Sequence, residues 1–372
     1  MRVVHITTLH QPLDVRIFHK ECRTLARAGH DVHLLVNRLP ADEMFGVKFH
    51  EIKWRPTRIR PIRIRRRLKA ACELALSSKG DVYHFHDAEL IVIAGKLADS
   101  GAKIIYDVHE DSPQEVLDVN RGRLLYARAK HVAFKRLWKK SLGIVDRYVC
   151  ATPAIAAMFP SDRTTTVANY PLLEEFVPLE ASTAPKKSEG HTFVFIGGIS
   201  AIRGIREMIT AVHLLPAELD ARLLLIGEFQ PPSLEDELRK LPGWSRVEVV
   251  PWQSRERLIP LLRTATAGLV LFHPGPNHVA ALPNKIFEYM AAGLPVIASD
   301  FPLWRELLNR EGSGVTADPL NPHSIAAAMQ TLLADPARAA EMGRRGQEAV
   351  WERYNWETES QKLLDLYQSF AV

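Results

Sequence analysis

Cysteine is scarce. Only Cys22, Cys72 and Cys150 occur in 372 residues, far apart and without the close pairs of a metal knuckle. That spacing argues against a disulfide framework and predicts reduced thiols serving as small core residues in a cytoplasm. Long apolar runs are missing as well, since nothing approaches the ~20 residues of a membrane span. The opening Met1-Arg2-Val3-Val4-His5-Ile6 runs straight into a strand with no cleavage region, so no secretory leader is expected. Nor is there a large charge excess, because 48 Lys and Arg against 43 Asp and Glu leave +5.

The hydrophobic share of 47% with 24% charged residues is that of a soluble globular protein. A chain this long exceeds one ordinary core and suits two α/β domains facing a cleft. Val3 to Thr7 is apolar and β-branched, Phe18 to Ala28 has helical periodicity ended by Gly29, and Val32 to Val36 is a second strand. Further strands are predicted at Val82 to Phe85, Ile104 to Tyr106 and Tyr148 to Ala151. Short apolar strands alternating with helices predict a parallel, doubly wound sheet, which binds ligands at the carboxyl ends of its strands. His10, His84, His86, Asp87, His109 and Glu110 fall at such ends.

From Tyr170 to Gly190 the pattern breaks into a Pro- and Glu-rich stretch that reads as a linker. A second series of strands follows at Phe193 to Ile196, Leu223 to Ile226, Val247 to Val250, Gly268 to Phe272 and Val296 to Ala298. The predicted organisation is a first domain over 1–169, a linker over 170–190, a second domain over 191–354, and a helical tail over 355–372 returning to the first.

The most informative block is Leu282 to Asp300, Leu-Pro-Asn-Lys-Ile-Phe-Glu-Tyr-Met-Ala-Ala-Gly-Leu-Pro-Val-Ile-Ala-Ser-Asp. Pro283 suits a first helical turn, Phe287, Met290 and Ala291 recur at helical spacing, and Gly293 stops the helix before the strand at Val296. A helix start offers unpaired N–H groups and a positive dipole end to an anion such as a diphosphate. Glu288, one turn further in, is placed to accept hydrogen bonds from a pair of sugar hydroxyls, or else merely to cap and solvate the helix. The second block is Phe195-Ile196-Gly197-Gly198-Ile199-Ser200-Ala201-Ile202-Arg203-Gly204. Its glycines let the backbone approach a ligand closely, and its guanidinium can clamp a diphosphate.

In order, the second half offers the Gly197 turn with Arg203-Gly204, then Leu224-Leu225-Ile226-Gly227-Glu228, Trp252 after a strand, Glu288, and Gly293-Leu294-Pro295-Val296-Ile297-Ala298. This succession resembles the retaining glycosyltransferases of family 4, which have the GT-B fold of two Rossmann-like domains. The closing Tyr354-Asn355-Trp356-Glu357 resembles the C-terminal signature of that family. The resemblance implies that Glu288 is the second glutamate of the Glu-x7-Glu motif and binds the donor ribose. It equates Arg203 with a diphosphate-binding lysine, and His109, in Tyr106-Asp107-Val108-His109-Glu110-Asp111, with the histidine that reaches the transferred sugar. Two positions depart from the pattern. Ala280 stands where the first glutamate belongs, and Gly197-Gly198 replaces a Gly-Arg pair. Asn277, His278, Asn284 and Lys285 are the substitutes nearest in sequence, with Lys285 the best replacement cation.

A glycosyl diphosphate leaves with developing negative charge while the sugar becomes oxocarbenium-like, so fixed cations at the phosphates stabilise the transition state. The expected catalytic cations are therefore Arg203 and Lys285, and the resemblance adds His109 as the third catalytic residue. The expected donor site adds Gly197, Gly198, Gly227, Trp252, Asn284 and Glu288. Acceptor-side candidates are Asp14, Arg16, His86 and Asp87, with His19 and Lys20 near by, although a plain solvated helix start explains the opening loop equally well. No cofactor or metal is expected. His84 and His86 point to one face of a strand, but no carboxylate or cysteine cluster in the sequence completes a ligand set.

Two basic clusters lie in the first half: Lys53, Arg55, Arg58, Arg60, Arg63, Arg65, Arg66, Arg67 and Lys69, and then Arg121, Arg123, Arg128, Lys130, Lys135, Arg136, Lys139 and Lys140. On a helical wheel Tyr126, Phe134, Leu137 and Trp138 fall opposite Arg128, Lys135, Arg136 and Lys139. This suits a helix resting on anionic lipid, with a solvated surface and nucleic-acid binding as alternatives, the last without a supporting motif. The sequence thus predicts a cytoplasmic enzyme, peripheral on the membrane. It would move a sugar from a UDP- or GDP-sugar to a saccharide or lipid-linked acceptor in glycan assembly. The rivals are a sugar-nucleotide epimerase on the same fold and a partner subunit that binds nucleotide sugar without turnover.

Overall fold

Strands of three to six residues, apolar runs in the sheet centres, form two parallel sheets. In the first, β1 (Arg2–Ile6), β2 (Asp31–Val36), β3 (Lys48–Glu51), β4 (Val82–Phe85), β5 (Lys103–Val108), β6 (Arg147–Cys150) and β7 (Thr164–Thr166) take the order β3-β2-β1-β4-β5-β6-β7. In the second, β8 (His191–Ile196), β9 (Ala221–Ile226), β10 (Val247–Val250), β11 (Ala267–Val270), β12 (Val296–Ser299) and β13 (Gly314–Ala317) take the order β10-β9-β8-β11-β12-β13. The computed structural model describes residues 1–40, 45–109, 124–177 and 190–370, leaving aside the side chains of 124–127, 129, 276 and 277. Glu110 and Asp111, Arg121 and Arg123, most of the linker stretch, and the side chains of Tyr126 and Asn277 lie outside the described residues.

The chain divides into two compact units, Met1–Asn169 with Trp356–Val372, and Tyr170–Asn355. Each sheet is doubly wound, and each has its switch point where the chain leaves the first strand in one direction and later returns on its other side: β1/β4 in the first unit, β8/β11 in the second. The central strands are buried end to end, which is why β11 and β12 read as nearly continuous apolar runs. β3, β7 and β13 were not foreseen. Lys-Phe-His-Glu, Thr-Thr-Thr and Gly-Val-Thr-Ala are half-exposed edge strands, where an apolar run is neither needed nor safe.

The opening helix, α1, also departs from expectation. It begins at Val15 as a π-helical stretch, Val15–Cys22, capped by the Asp14 carboxylate on the amides of Arg16 and Ile17, and continues as an α-helix over Arg23–Arg27. Next come α2 (Arg60–Ser77), α3 (Ile91–Ala98) and α4 (Leu124–Ser141), with α3 packed between the other two. Phe134, Leu137 and Trp138 of α4 pack against the core of their own unit, the Trp138 ring 5.0 Å from Phe159. The apolar stripe assigned to lipid is therefore already covered by protein, and α4 turns Lys135, Arg136, Lys139 and Lys140 outward.

In the second unit, α5 (Ile205–Leu214) follows β8 and α6 (Asn284–Ala291) follows β11. The buried Tyr289 of α6 lies flat over Gly268 of β11, where a Cβ would sit 2.2 Å from the ring, and its hydroxyl accepts from the Ile196 amide at 3.0 Å. Left-handed Gly293 (φ 77°) ends the helix, and α7 (Pro336–Glu352) presses Gly343 against the Gly293 carbonyl, where a Cβ would be 2.1 Å away. These contacts lock α6 in place at the switch point. The last helix, α8 (Trp356–Gln368), belongs to the first unit, with Trp356 Nε1 donating to Thr24 Oγ1 at 2.9 Å.

Candidate functional site

The second unit gathers two cations on a glycine turn. β8 ends at Ile196, and Gly197 turns in a conformation (φ 104°) that only glycine adopts readily. A Cβ on Gly197 would meet Lys285 Nζ at 3.0 Å and Arg203 Nη1 at 3.6 Å, so both cations stand over this turn. Arg203 Nη1 donates to the Gly198 carbonyl at 2.7 Å, and the guanidinium carbon lies 5.7 Å from the Phe272 ring centroid. Lys285 Nζ approaches the same ring at 5.8 Å and Phe195 at 5.9 Å. A Cβ on Gly198 would lie 2.9 Å from Arg203 Nη1, so Arg203 occupies the space beside the position where the family pattern has an arginine. Burial, then the neighbouring Arg203 charge, lowers the Lys285 ammonium from its usual range to about 8. Two cations brought together over one glycine turn suit an anion with more than one charge, such as a diphosphate. The first turn of α6 adds the amides of Asn284 and Lys285, which helix geometry leaves without intrahelical partners.

Glu288 is not a solvated helix carboxylate. Arg255 Nη1 donates to its Oε1 at 2.6 Å while the other side of the same guanidinium donates to Glu175 Oε2 at 2.7 Å. Arg255 thereby fixes one oxygen of Glu288, as a binding carboxylate requires. Neither Arg255 nor Glu175 was legible as a partner, since they lie 33 and 113 positions from Glu288 in the sequence. Gly227 (φ 150°) is required sterically, because a Cβ there would sit 2.0 Å from the Gly197 carbonyl oxygen, so glycine at 227 seats the turn. Trp252 is 70% exposed just beyond β10, Asn284 is exposed at the start of α6, and Ala280 is an exposed turn residue. His278 packs 5.0 Å from Phe272, beside the two cations, and its Nδ1 donates to the His273 carbonyl at 2.9 Å.

In the first unit the switch point carries a polar cluster centred on Asp107, the fifth residue of β5. Arg16 donates to both oxygens, Nε to Oδ2 at 2.9 Å and Nη2 to Oδ1 at 2.8 Å, while Oδ2 also accepts from His86 at 3.1 Å and from His109 at 2.5 Å. Burial drives the Asp107 carboxyl upward, but Arg16, His109 and His86 overcome it and hold the group well below the usual range. With Nε2 of His109 donating to Asp107, the ring is held in one orientation. His86 passes the chain inward to His5 at 2.9 Å, and burial keeps both rings neutral, His86 at about 4.

Three of the four acceptor-side candidates are turned inward. Arg16 is spent on Asp107 and on the Val167 carbonyl, His86 on Asp107, and Asp87 on the Thr8 amide and the hydroxyls of Thr7 and Thr8. Asp14 caps α1, and Lys20 is likewise buried on Asn169. His109 and His10 remain partly exposed, 5.0 Å apart. The expectation that no carboxylate completes a set with the histidines is corrected, because Glu21 of α1 joins Asp107, His84 and His86. Glu21 escaped notice because it reads as an ordinary helix position, whereas the wide opening turn buries it.

Two family models match the chain. One, described as Glycosyltransferase Family 4, covers residues 15–165, and the other, described as Glycosyl transferases group 1, covers residues 190–335. A glycosyltransferase from Methanocaldococcus jannaschii is 25% identical over 176 residues, which are 47% of this chain and 44% of that one. The chain spans about half the length of the curated relatives it matches. Among solved structures, sucrose-phosphate synthase from Thermosynechococcus elongatus superposes with a TM-score of 0.78 at 18% identity over 99% of this chain and 98% of that one. HepE from Anabaena, solved in complex with UDP-glucose, superposes with a TM-score of 0.77 at 12% identity over 99% and 100%. The fold is GT-B, and both halves carry glycosyltransferase domains.

Proposed function

We propose that this chain, a GT-B protein built from a glycosyltransferase family 4 domain and a group 1 domain, transfers a sugar from a nucleoside diphosphate donor to a saccharide or lipid-linked acceptor, with retention of configuration. The observation that carries the reading is the convergence of Arg203 and Lys285 on the Gly197-Gly198 turn, beside a helix that holds Glu288 in register. Arg203 and Lys285 receive the diphosphate and stabilise its charge as it leaves, Glu288 accepts from the ribose hydroxyls, and exposed Trp252 offers its face to the base. His109, oriented by Asp107, is assigned to the transferred sugar. NMR analysis of the products from mixtures of the protein, a panel of UDP- and GDP-sugars and a pool of lipid-linked saccharides tests this. One donor should yield an extended acceptor with the anomeric configuration kept. A sugar epimerised in the absence of acceptor, or an inverted linkage, would replace this reading.

Glu288→Gln keeps the shape of the side chain but removes the charge that accepts from ribose and from Arg255. Hydrogen bonds to charged groups are worth about 1.5–3 kcal/mol, so donor affinity should fall roughly 10- to 100-fold with little change in kcat. Calorimetric titration of donor into both proteins checks it, and an unchanged Kd would take the ribose elsewhere.

Lys285 gives a pH dependence. Only its ammonium form attracts a diphosphate, and that form is lost as pH rises through about 8. Affinity for a nucleoside diphosphate should therefore weaken steadily above that pH. Lys285→Arg, which stays charged, should flatten the profile. A wild-type Kd that is level between about pH 7 and 9.5 would contradict this.

For the membrane, the proposal rests on charge alone. Arg60, Arg63, Arg65, Arg66 and Lys69 of α2 are exposed, as are Lys135, Arg136, Lys139 and Lys140 of α4, and the two helices flank α3. Each basic residue near an anionic bilayer is worth about 1 kcal/mol. Replacing Arg63, Arg66, Arg136 and Lys139 by glutamine should lower partitioning onto phosphatidylserine vesicles at least about 100-fold at low salt. Wild-type protein that stays unbound would remove the membrane from the account.

A further inference from the structure

We propose that the first unit holds a buried divalent cation of the zinc, cobalt or manganese class, bound by Glu21, His84, His86 and Asp107. One ligand atom from each of these four buried residues lies within 4.8 Å of the others. They come from three elements that meet at the switch point: Glu21 from α1, His84 and His86 from β4 and the residue after it, and Asp107 from β5. Two imidazoles and two carboxylates form a mixed nitrogen and oxygen set. That set suits borderline transition metals and excludes the all-oxygen preference of calcium or magnesium.

The cluster has more acceptors than donors. Neither oxygen of Glu21 takes part in a hydrogen bond among the described residues, nor does Nε2 of His84 or of His5, although all are buried. Arg16 Nε stands 3.2 Å from Glu21 Oε1, but the guanidinium aims its donors at Asp107 and Val167. His84 Nε2 lies 3.8 Å from Glu21 Oε2, and the other nitrogen of that ring is held by Tyr367 at 2.8 Å. Leaving so many lone pairs dry and unmet costs about 1–3 kcal/mol each.

Charge points the same way. Glu21 and Asp107 bring two carboxylates to a dry pocket, and Arg16 supplies one guanidinium, which leaves one negative charge in excess among the fully buried groups. A proton on Glu21 would neutralise the excess but would serve one of its oxygens and leave the imidazole nitrogens unmet. A cation between Glu21 and His84 takes up both. It replaces the proton that His86 shares with Asp107, and Arg16 stays on the far oxygen of Asp107. Tetrahedral ligands at ~2.0 Å from zinc lie about 3.3 Å apart, so the set closes by up to about 1.5 Å on binding. The ion would tie α1 to the centre of the sheet, behind the Asp107–His109 pair.

Chelator-treated full-length protein without a polyhistidine tag, titrated with Zn2+ and Co2+, tests this independently of any transferase activity. The expected result is uptake of one ion per chain, ligand-field absorption of bound Co2+ in the visible, and a higher unfolding temperature. Glu21→Gln and His84→Gln should each weaken uptake more than about 100-fold. Lack of saturable uptake by the wild-type chain would overturn the site. So would uptake unchanged in both variants, because the ion would then lie elsewhere and Glu21 would carry a proton. If either variant fails to fold, the wild-type stoichiometry and Co2+ spectrum decide.

Discussion

Arg203→Ala is expected to slow sugar transfer by about 100- to 1,000-fold, the cost of removing one fixed donor aimed at developing charge. Arg203 is placed for that role by its whole neighbourhood. Gly204 (φ 73°) packs where a Cβ would strike the Leu271 carbonyl at 2.0 Å, and the guanidinium is pinned by the Gly198 carbonyl. Lys285→Met should cost a comparable factor. The double variant should lose less than the product of the two, because both cations act on one diphosphate and each raises the cost of holding the other. Steady-state kinetics of the three variants measure it. A loss below about 5-fold for Arg203→Ala would place the leaving group elsewhere.

The second large effect lies in the first unit. Arg16→Met is expected to cost about 3–5 kcal/mol, because it removes the buried guanidinium that pairs with both Asp107 and Glu21. The loss should appear as faster hydrogen exchange in β5 and α1 and as a lower urea midpoint for that unit. Trp252→Ala, at an exposed site in the other unit, should leave both unchanged. If Arg16 instead served an acceptor, the variant would keep its stability and raise only the acceptor KM.

Legibility followed burial. Fully buried strands such as Val296 to Ala298 announce themselves, because both faces meet protein and every position is apolar. Edge strands do not. The cation cradle was half legible: a glycine turn, an arginine and a Pro-Asn-Lys block each have local meaning, and their meeting across 82 positions was expected only through the family resemblance. The clamp on Glu288 was invisible, since Glu175 and Arg255 carry no local pattern. In α4 the periodicity set Phe134, Leu137 and Trp138 apart from Lys135, Arg136 and Lys139, although Val132 is exposed among the cations. Periodicity cannot say what an apolar face meets, and here it meets Phe159 and the core of its own unit. Glu21 was missed for a related reason, as a polar residue in a helix looks solvated until a π-helical turn swings it inward.

Titration of nucleoside diphosphates and nucleotide sugars into wild-type protein and into Arg203→Ala, read by calorimetry, tests the central claim most directly. The account predicts saturable binding of at least one nucleoside diphosphate to the wild-type chain, one molecule per chain, and a loss of about 100-fold or more in the variant. Equal affinity in the two proteins, or no binding to either, would contradict it.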